Sequence, residues 1–107
     1  MPTTEYFKSL APGVSLRVRY TSDRNTVEHF IVRLEIYTED TWRPVVRYDN
    51  AHGEAHIDYL DPKGVTYRKD WLNIRWPFNA ALDEAKEELQ ESYQRHIDRF
   101  MAQREFH

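Results

Sequence analysis

The chain has 107 residues, 40% hydrophobic, 14% aromatic and 31% charged, with a net charge of −3. That length suits a single domain with a real core, and the composition excludes a disordered chain. No cysteine is present, which excludes disulfides and thiol nucleophiles, and the slight acidic excess argues against a broad duplex-binding surface.

The opening "MPTTEYFKSLAPG" lacks a basic region followed by an apolar run, so no signal peptide is expected. No stretch reaches the roughly 18 apolar residues of a membrane helix. A soluble, cytoplasmic protein without a membrane partner is the expectation. Residues 3–10 read as one or two helical turns, with Thr3 or Thr4 as cap and "APG" as the stop. Residues 14–20 alternate Val14, Leu16, Val18 and Tyr20 with Ser15, Arg17 and Arg19, the period of a half-buried strand. Residues 21–26 read as a loop. The next strand, 29–37, puts Phe30, Val32, Leu34 and Ile36 on one face. After a turn at 38–41, the strand 42–49 points Trp42, Pro44, Val46 and Tyr48 inward, with an irregularity expected at Pro44, which has no N–H to donate.

The strand 54–60 points Ala55, Ile57 and Tyr59 inward, "DPKG" (61–64) turns the chain, and 65–71 makes a fifth strand. From residue 77 the period changes. Leu82, Ala85, Leu89, Tyr93, Ile97 and Phe100 recur at helical spacing, with Asn79 as N-cap, Asp83 and Glu84 early, and Arg99 and Arg104 late. The expected fold is α+β: an antiparallel meander of about five strands packed on one long C-terminal helix. As a single domain it divides into an N-terminal segment 1–13, a sheet 14–71 and a helix 77–105.

Chemistry concentrates in "RYDNAHGEAHIDYLD", residues 47–61. A two-residue turn at His52-Gly53 pairs Asp49 with His56 and Arg47 with Asp58, matching opposite charges. The next loop sets Asp58 opposite Arg68 and His56 opposite Asp70. A turn at 38–40 sets His29 opposite Asp49 and Ile31 opposite Arg47. The outer sheet face then carries the rows His29–Asp49–His56–Asp70 and Ile31–Arg47–Asp58–Arg68, with neighbours roughly 5 Å apart.

Three readings of these rows stay open. The first is cross-strand ion pairing on a solvated face. The second is acid–base chemistry on a phosphodiester. There His56 exchanges the proton, Asp49 and Asp70 orient it, His29 ends the row, and Arg47 and Arg68 grip phosphate. The third is a Zn²⁺ or Mn²⁺ site of His29, Asp49 and His56, although no HxH or HExxH spacing supports it and no cofactor is expected. Trp42, Trp71 and Trp76 read as core at the sheet edges before they read as a stacking platform for bases. Tyr93 belongs to the core stripe and His96 to its boundary. Arg17 and Arg19 would extend a basic lip, and the acidic run 83–92 is a solvated helix face.

The run "VVRYDNAHGEAHIDYLDPKG" (45–64) resembles a family of small uncharacterised prokaryotic proteins, which share R-Y-D-x-A-H-G-x-x-H and a D-P-x-G-type turn and end in a helix. That resemblance implies a fold and a site location, but no reaction. More distantly, "RYDNA" followed by histidine is similar to TumE-type toxin components of toxin–antitoxin pairs. Those continue with a proline and two adjacent histidines where this chain has "HGEAH", so no residue role carries over. Two functional classes follow: a toxin-type or RNA-directed protein acting on phosphodiesters, and an interaction module that binds a cognate partner or a second copy of itself through an exposed edge strand or the helix.

Overall fold

The computed structural model describes residues 2–104, without the side chains of His52 and Arg104. In chain order it has β1 (Thr3–Ala11), β2 (Val14–Asp23), β3 (Thr26–Thr38), β4 (Thr41–Asp49), a 3₁₀ turn (Ala51–Gly53), β5 (His56–Leu60), β6 (Thr66–Trp71) and α1 (Asn79–Arg104). The six strands form one antiparallel sheet in sequence order. The α+β meander with a long C-terminal helix is present, with one strand more than expected.

The additional strand is β1, where helical turns were expected. Thr3, Thr4, Tyr6 and Phe7 favour a pleated surface, and a helix of two turns is too short to stand alone. The strand pairs with β2 from Thr3↔Thr21 to Ala11↔Val14 around a turn at Pro12 and Gly13, where Gly13 takes φ +72°. Nor are residues 21–26 a loop. The β2–β3 hairpin turns on Arg24 and Asn25 (φ +50° and +66°), and β3–β4 turns on Glu39 and Asp40 (φ +53° and +64°). Two adjacent positive φ values match the twist of the flanking strands, so the strands run right up to both turns.

Pro44 marks an irregularity, as expected. Leu34 faces Val46 and Glu35 faces Pro44, so Val45 is an extra residue in β4. The extra residue changes parity, and Trp42 leaves the core side and stands 48% exposed. Trp71 and Trp76 are exposed as well, which overturns their assignment to the core.

The helix lies against β2, β3 and β4. Leu16, Val18, Val32, Leu34 and Val46 meet Ala81, Leu82, Ala85, Leu89 and Phe100 there, all buried. Each large aliphatic side chain so buried contributes roughly 1.5–3 kcal/mol. The stripe is continuous although Ser92 leaves helical geometry (φ −120°, ψ 20°) and kinks α1. His96, expected at the boundary of the stripe, is only 3% exposed. Asn79 ties α1 to the β2–β3 hairpin: its Oδ1 accepts from Val27 N at 3.0 Å and its Nδ2 donates to Asn25 O at 2.8 Å. The expected helix end at residue 105 and the Arg104 side chain lie outside the described residues. No helix among the described residues is long and apolar enough to cross a membrane.

Candidate functional site

The β4–β5 pairing has the expected partners, Asp49↔His56 and Arg47↔Asp58. The connection is the 3₁₀ turn with flanking residues rather than two residues alone. Asn50 closes it by continuing the ladder with its side chain, accepting from Phe30 N at 3.0 Å and donating to Glu28 O at 2.9 Å. The neighbouring registers differ from those expected. Val45 in β4 shifts its partners along β3, so Asp49 faces Ile31 and Arg47 faces Arg33. His29 instead faces Thr21 and is exposed. In β6 an extra residue at Tyr67 flips the parity: Tyr59 faces Arg68, Asp58 faces Lys69 and His56 faces Trp71.

His29, Arg68 and Asp70 therefore do not join Asp49, His56 and Arg47. Arg68 sits 4.9 Å over the Tyr59 ring, on the helix side of the sheet, and binds Asp70 through Nε (3.1 Å) and Nη2 (3.0 Å). Lys69 and Trp71 occupy the positions assigned to Arg68 and Asp70. The outer-face rows become Glu5–Arg19–Ile31–Asp49–His56–Trp71 and Phe7–Arg17–Arg33–Arg47–Asp58–Lys69.

Asp49, His56 and Asp58 form a tight cluster, with one candidate ligand atom from each lying within 4.8 Å of the others. His56 Nε2 is 2.9 Å from Asp49 Oδ1 and 3.3 Å from Asp58 Oδ2, while Nδ1 is 3.2 Å from the Glu54 carbonyl. A carbonyl only accepts, so Nδ1 carries the hydrogen. The cluster is not the solvated surface expected from alternation. His56 and Asp58 are each 2% exposed, and the Trp71 ring covers the imidazole at 5.2 Å.

Cations fringe the cluster. Arg47 Nη2 donates to Asp58 Oδ2 at 2.8 Å, Arg47 Nε is 3.0 Å from Asp49 Oδ2, and Lys69 Nζ is 3.5 Å from Asp58 Oδ1. Burial alone would raise the Asp58 carboxyl. The hydrogen bond from Arg47 and the charges of His56, Lys69 and Arg47 outweigh it and hold the group below its ordinary value. Both ring nitrogens of His56 are engaged. An acid–base role toward a substrate requires Asp49 to release Nε2.

Beside the cluster, Arg17, Arg33 and Arg47 stand directly opposite one another across three strands. Like charges in that position destabilise a sheet unless anions intervene. Glu5 reaches Arg17 and Arg19 (3.5 and 3.7 Å), and Glu35 reaches Arg33 (3.1 Å). Arg17, Arg19, Arg33, Glu5 and Ile31 line a cavity of about 160 Å³. A neighbouring cavity of about 400 Å³ is lined by Phe7, Ser15, Arg17, Glu35 and Trp42. Arg33 was missed in the sequence although its parity on β3 already turned it outward. Lys69 was missed because the Tyr67 bulge has no composition signal.

These features define an α+β protein with a buried Asp–His–Asp cluster beside an arginine row on the sheet face opposite its helix. Residues 1–106 match the family described as Domain of unknown function (DUF7718), and the chain belongs to that family. This agrees with the coarse reading of residues 45–64 as those of an uncharacterised family. No curated protein and no solved structure matches the chain.

Proposed function

We propose that the protein is RNA-directed and that its outer sheet face binds the phosphodiester backbone of a single strand. The observation carrying this reading is the row Arg17–Arg33–Arg47, whose mutual repulsion a polyanion would relieve. Phe7, Trp42 and Trp71 are exposed on the same face and offer rings on which unpaired bases stack. Arg17, Arg19 and Arg33 take the backbone, and Asp49, His56, Asp58 and Arg47 lie alongside as the group that acts on a bound phosphodiester. A toxin-type role is the form of this reading that the TumE resemblance implies.

The test is fluorescence anisotropy with short single-stranded oligoribonucleotides in chelator, between about 50 and about 200 mM salt. Wild type binds, and log affinity falls with log salt by roughly 0.7 for each phosphate neutralised. Arg33→Ala weakens binding about tenfold and flattens that slope. Absence of binding at the low-salt end, or identical slopes for wild type and variant, overturns the proposal.

One observation favours a second reading. The outer edge of β1 pairs with no other strand of the described sheet, and seven of its nine residues are exposed. The opposite edge, β6, carries Arg68, Lys69 and Asp70 in succession, the usual protection against strand addition, whereas β1 has only Glu5 and Lys8. Pairing of β1 with a second copy is the form of this reading. Sedimentation then shows a dimer that Tyr6→Pro converts to monomer, and a wild-type monomer at all concentrations sinks the reading.

A further inference from the structure

We infer that Asp49, His56 and Asp58 hold a divalent metal ion of the zinc or manganese class. The argument starts from His56. Its Nδ1 hydrogen is fixed on the Glu54 carbonyl at 3.2 Å, so in the neutral ring the Nε2 lone pair faces two carboxylates. Two carboxylates and a lone pair converging on one point are a donor set for a cation, with Arg47 and Lys69 pairing the carboxylates from the outer side. A backbone carbonyl that fixes the far nitrogen is also how ligating histidines are oriented around bound metals.

The spacing fits. Ligands about 2.0–2.2 Å from a tetrahedral ion lie roughly 3.3–3.6 Å apart. His56 Nε2 is 3.3 Å from Asp58 Oδ2 and 2.9 Å from Asp49 Oδ1, and the three ligand atoms lie within 4.8 Å of one another, so side-chain shifts admit the ion. Imidazole with two carboxylates is a donor set that suits Zn²⁺ or Mn²⁺. Arg47 Nη2 occupies one lone pair of Asp58 Oδ2 and leaves the other for a metal. Asp58 is 2% exposed, and its Oδ1 faces Lys69 Nζ at 3.5 Å, so the oxygen that faces His56 Nε2 and would ligate the ion is Oδ2.

The site differs from the expected triad of His29, Asp49 and His56: Asp58 takes the place of His29. With three protein ligands, a fourth position remains for water or substrate. The inference deepens the proposed function in one respect, since such an ion beside an RNA-binding face would supply Lewis-acid chemistry to a phosphodiester. Its binding geometry does not depend on RNA.

The test uses the full chain, stripped with chelator and titrated calorimetrically with Zn²⁺ in the absence of RNA. One equivalent binds at micromolar or tighter affinity. Asp49→Asn and Asp58→Asn each weaken it tenfold or more, while Arg33→Ala leaves it unchanged and loses RNA affinity, which separates this inference from the functional reading. No saturable heat, or wild-type affinity in both asparagine variants, overturns it. Should those variants lose their cooperative melting, histidine ¹⁵N spectra of the wild type decide. A Zn²⁺-dependent shift at His56 Nε2, with Nδ1 still protonated, supports the site; a shift at another histidine alone, or none, overturns it.

Discussion

His56 and His96 are buried to nearly the same degree, at 2% and 3% exposure, on opposite faces of one sheet. His96 Nε2 meets a single carboxylate, Glu88, at 2.8 and 3.0 Å, and the Tyr48 hydroxyl donates to the same group at 2.8 Å. The Tyr59 ring stands 6.1 Å away. One imidazole thus serves one carboxylate at the junction of α1 and β4, and the set fastens the helix to the sheet. His56 Nε2 meets two carboxylates, and the cations that balance them extend outward into an open face. Burial therefore does not separate scaffold from site. The number of charges converging on one nitrogen does, together with the access of their neighbours to solvent.

The largest expected effect lies on the scaffold side. His96→Ala removes the ring and strips Glu88 of its main partner, at a loss of about 2–3 kcal/mol in urea unfolding, with RNA and Zn²⁺ binding unchanged. On the site side, Asp58→Asn keeps its shape and loses about 1–2 kcal/mol with the charged hydrogen bond from Arg47. It also removes an anion from the basic row, so affinity for single-stranded RNA in chelator rises a few-fold. A fall in RNA affinity would mean that Asp58 supports the bound strand rather than opposes it, and the contrast would need redrawing.

Much of this contrast was legible in the sequence, and the rest failed at identifiable residues. The Asp49↔His56 and Arg47↔Asp58 pairs were readable because opposite charges fit only that register. The helix stripe was readable because Leu82, Ala85 and Leu89 keep one period over several turns. The strand β1 was not, since Thr3 and Thr4 serve equally as caps and as strand formers. The places of Arg68 and Asp70 were not, since one extra residue at Tyr67 inverts a strand without altering its composition. Burial of His56 was hidden too. It needs Trp71 on its own row, which the same inversion provides.

A middle-sized effect sharpens the scaffold half through pH. Burial would raise the Glu88 carboxyl, but the hydrogen bonds from His96 and Tyr48 prevail and lower it from its ordinary 4.5. Its contribution is therefore complete above that value and is lost as pH falls through the lowered one. Burial, and then Glu88, push the Tyr48 hydroxyl upward from its ordinary 10.0, so its contribution holds below 10.0 and is lost as pH rises beyond. Tyr48→Phe, melted from about pH 3 to about pH 11, loses about 1 kcal/mol near neutrality. Its acid limb moves to higher pH because Glu88 keeps one hydrogen bond instead of two, and its alkaline limb flattens. An unchanged acid limb would detach Tyr48 from the Glu88–His96 pair.

The smallest expected effect separates the two faces most cleanly. Arg68 is exposed, pairs with Asp70 of its own strand and lies over Tyr59 on the helix side. Arg33 stands in the row on the other side, between Arg17 and Arg47. Each carries the same charge, so a purely non-specific attraction of RNA to net positive charge treats Arg68→Ala and Arg33→Ala alike. Binding on the outer face does not: Arg68→Ala leaves stability, salt slope and affinity at wild-type values, while Arg33→Ala weakens binding about tenfold. Equal losses in the two variants would move the nucleic acid off the arginine row. They would also leave the repulsion among Arg17, Arg33 and Arg47 balanced by Glu5, Glu35 and Asp49 alone, as a lattice of ion pairs with no anion to receive.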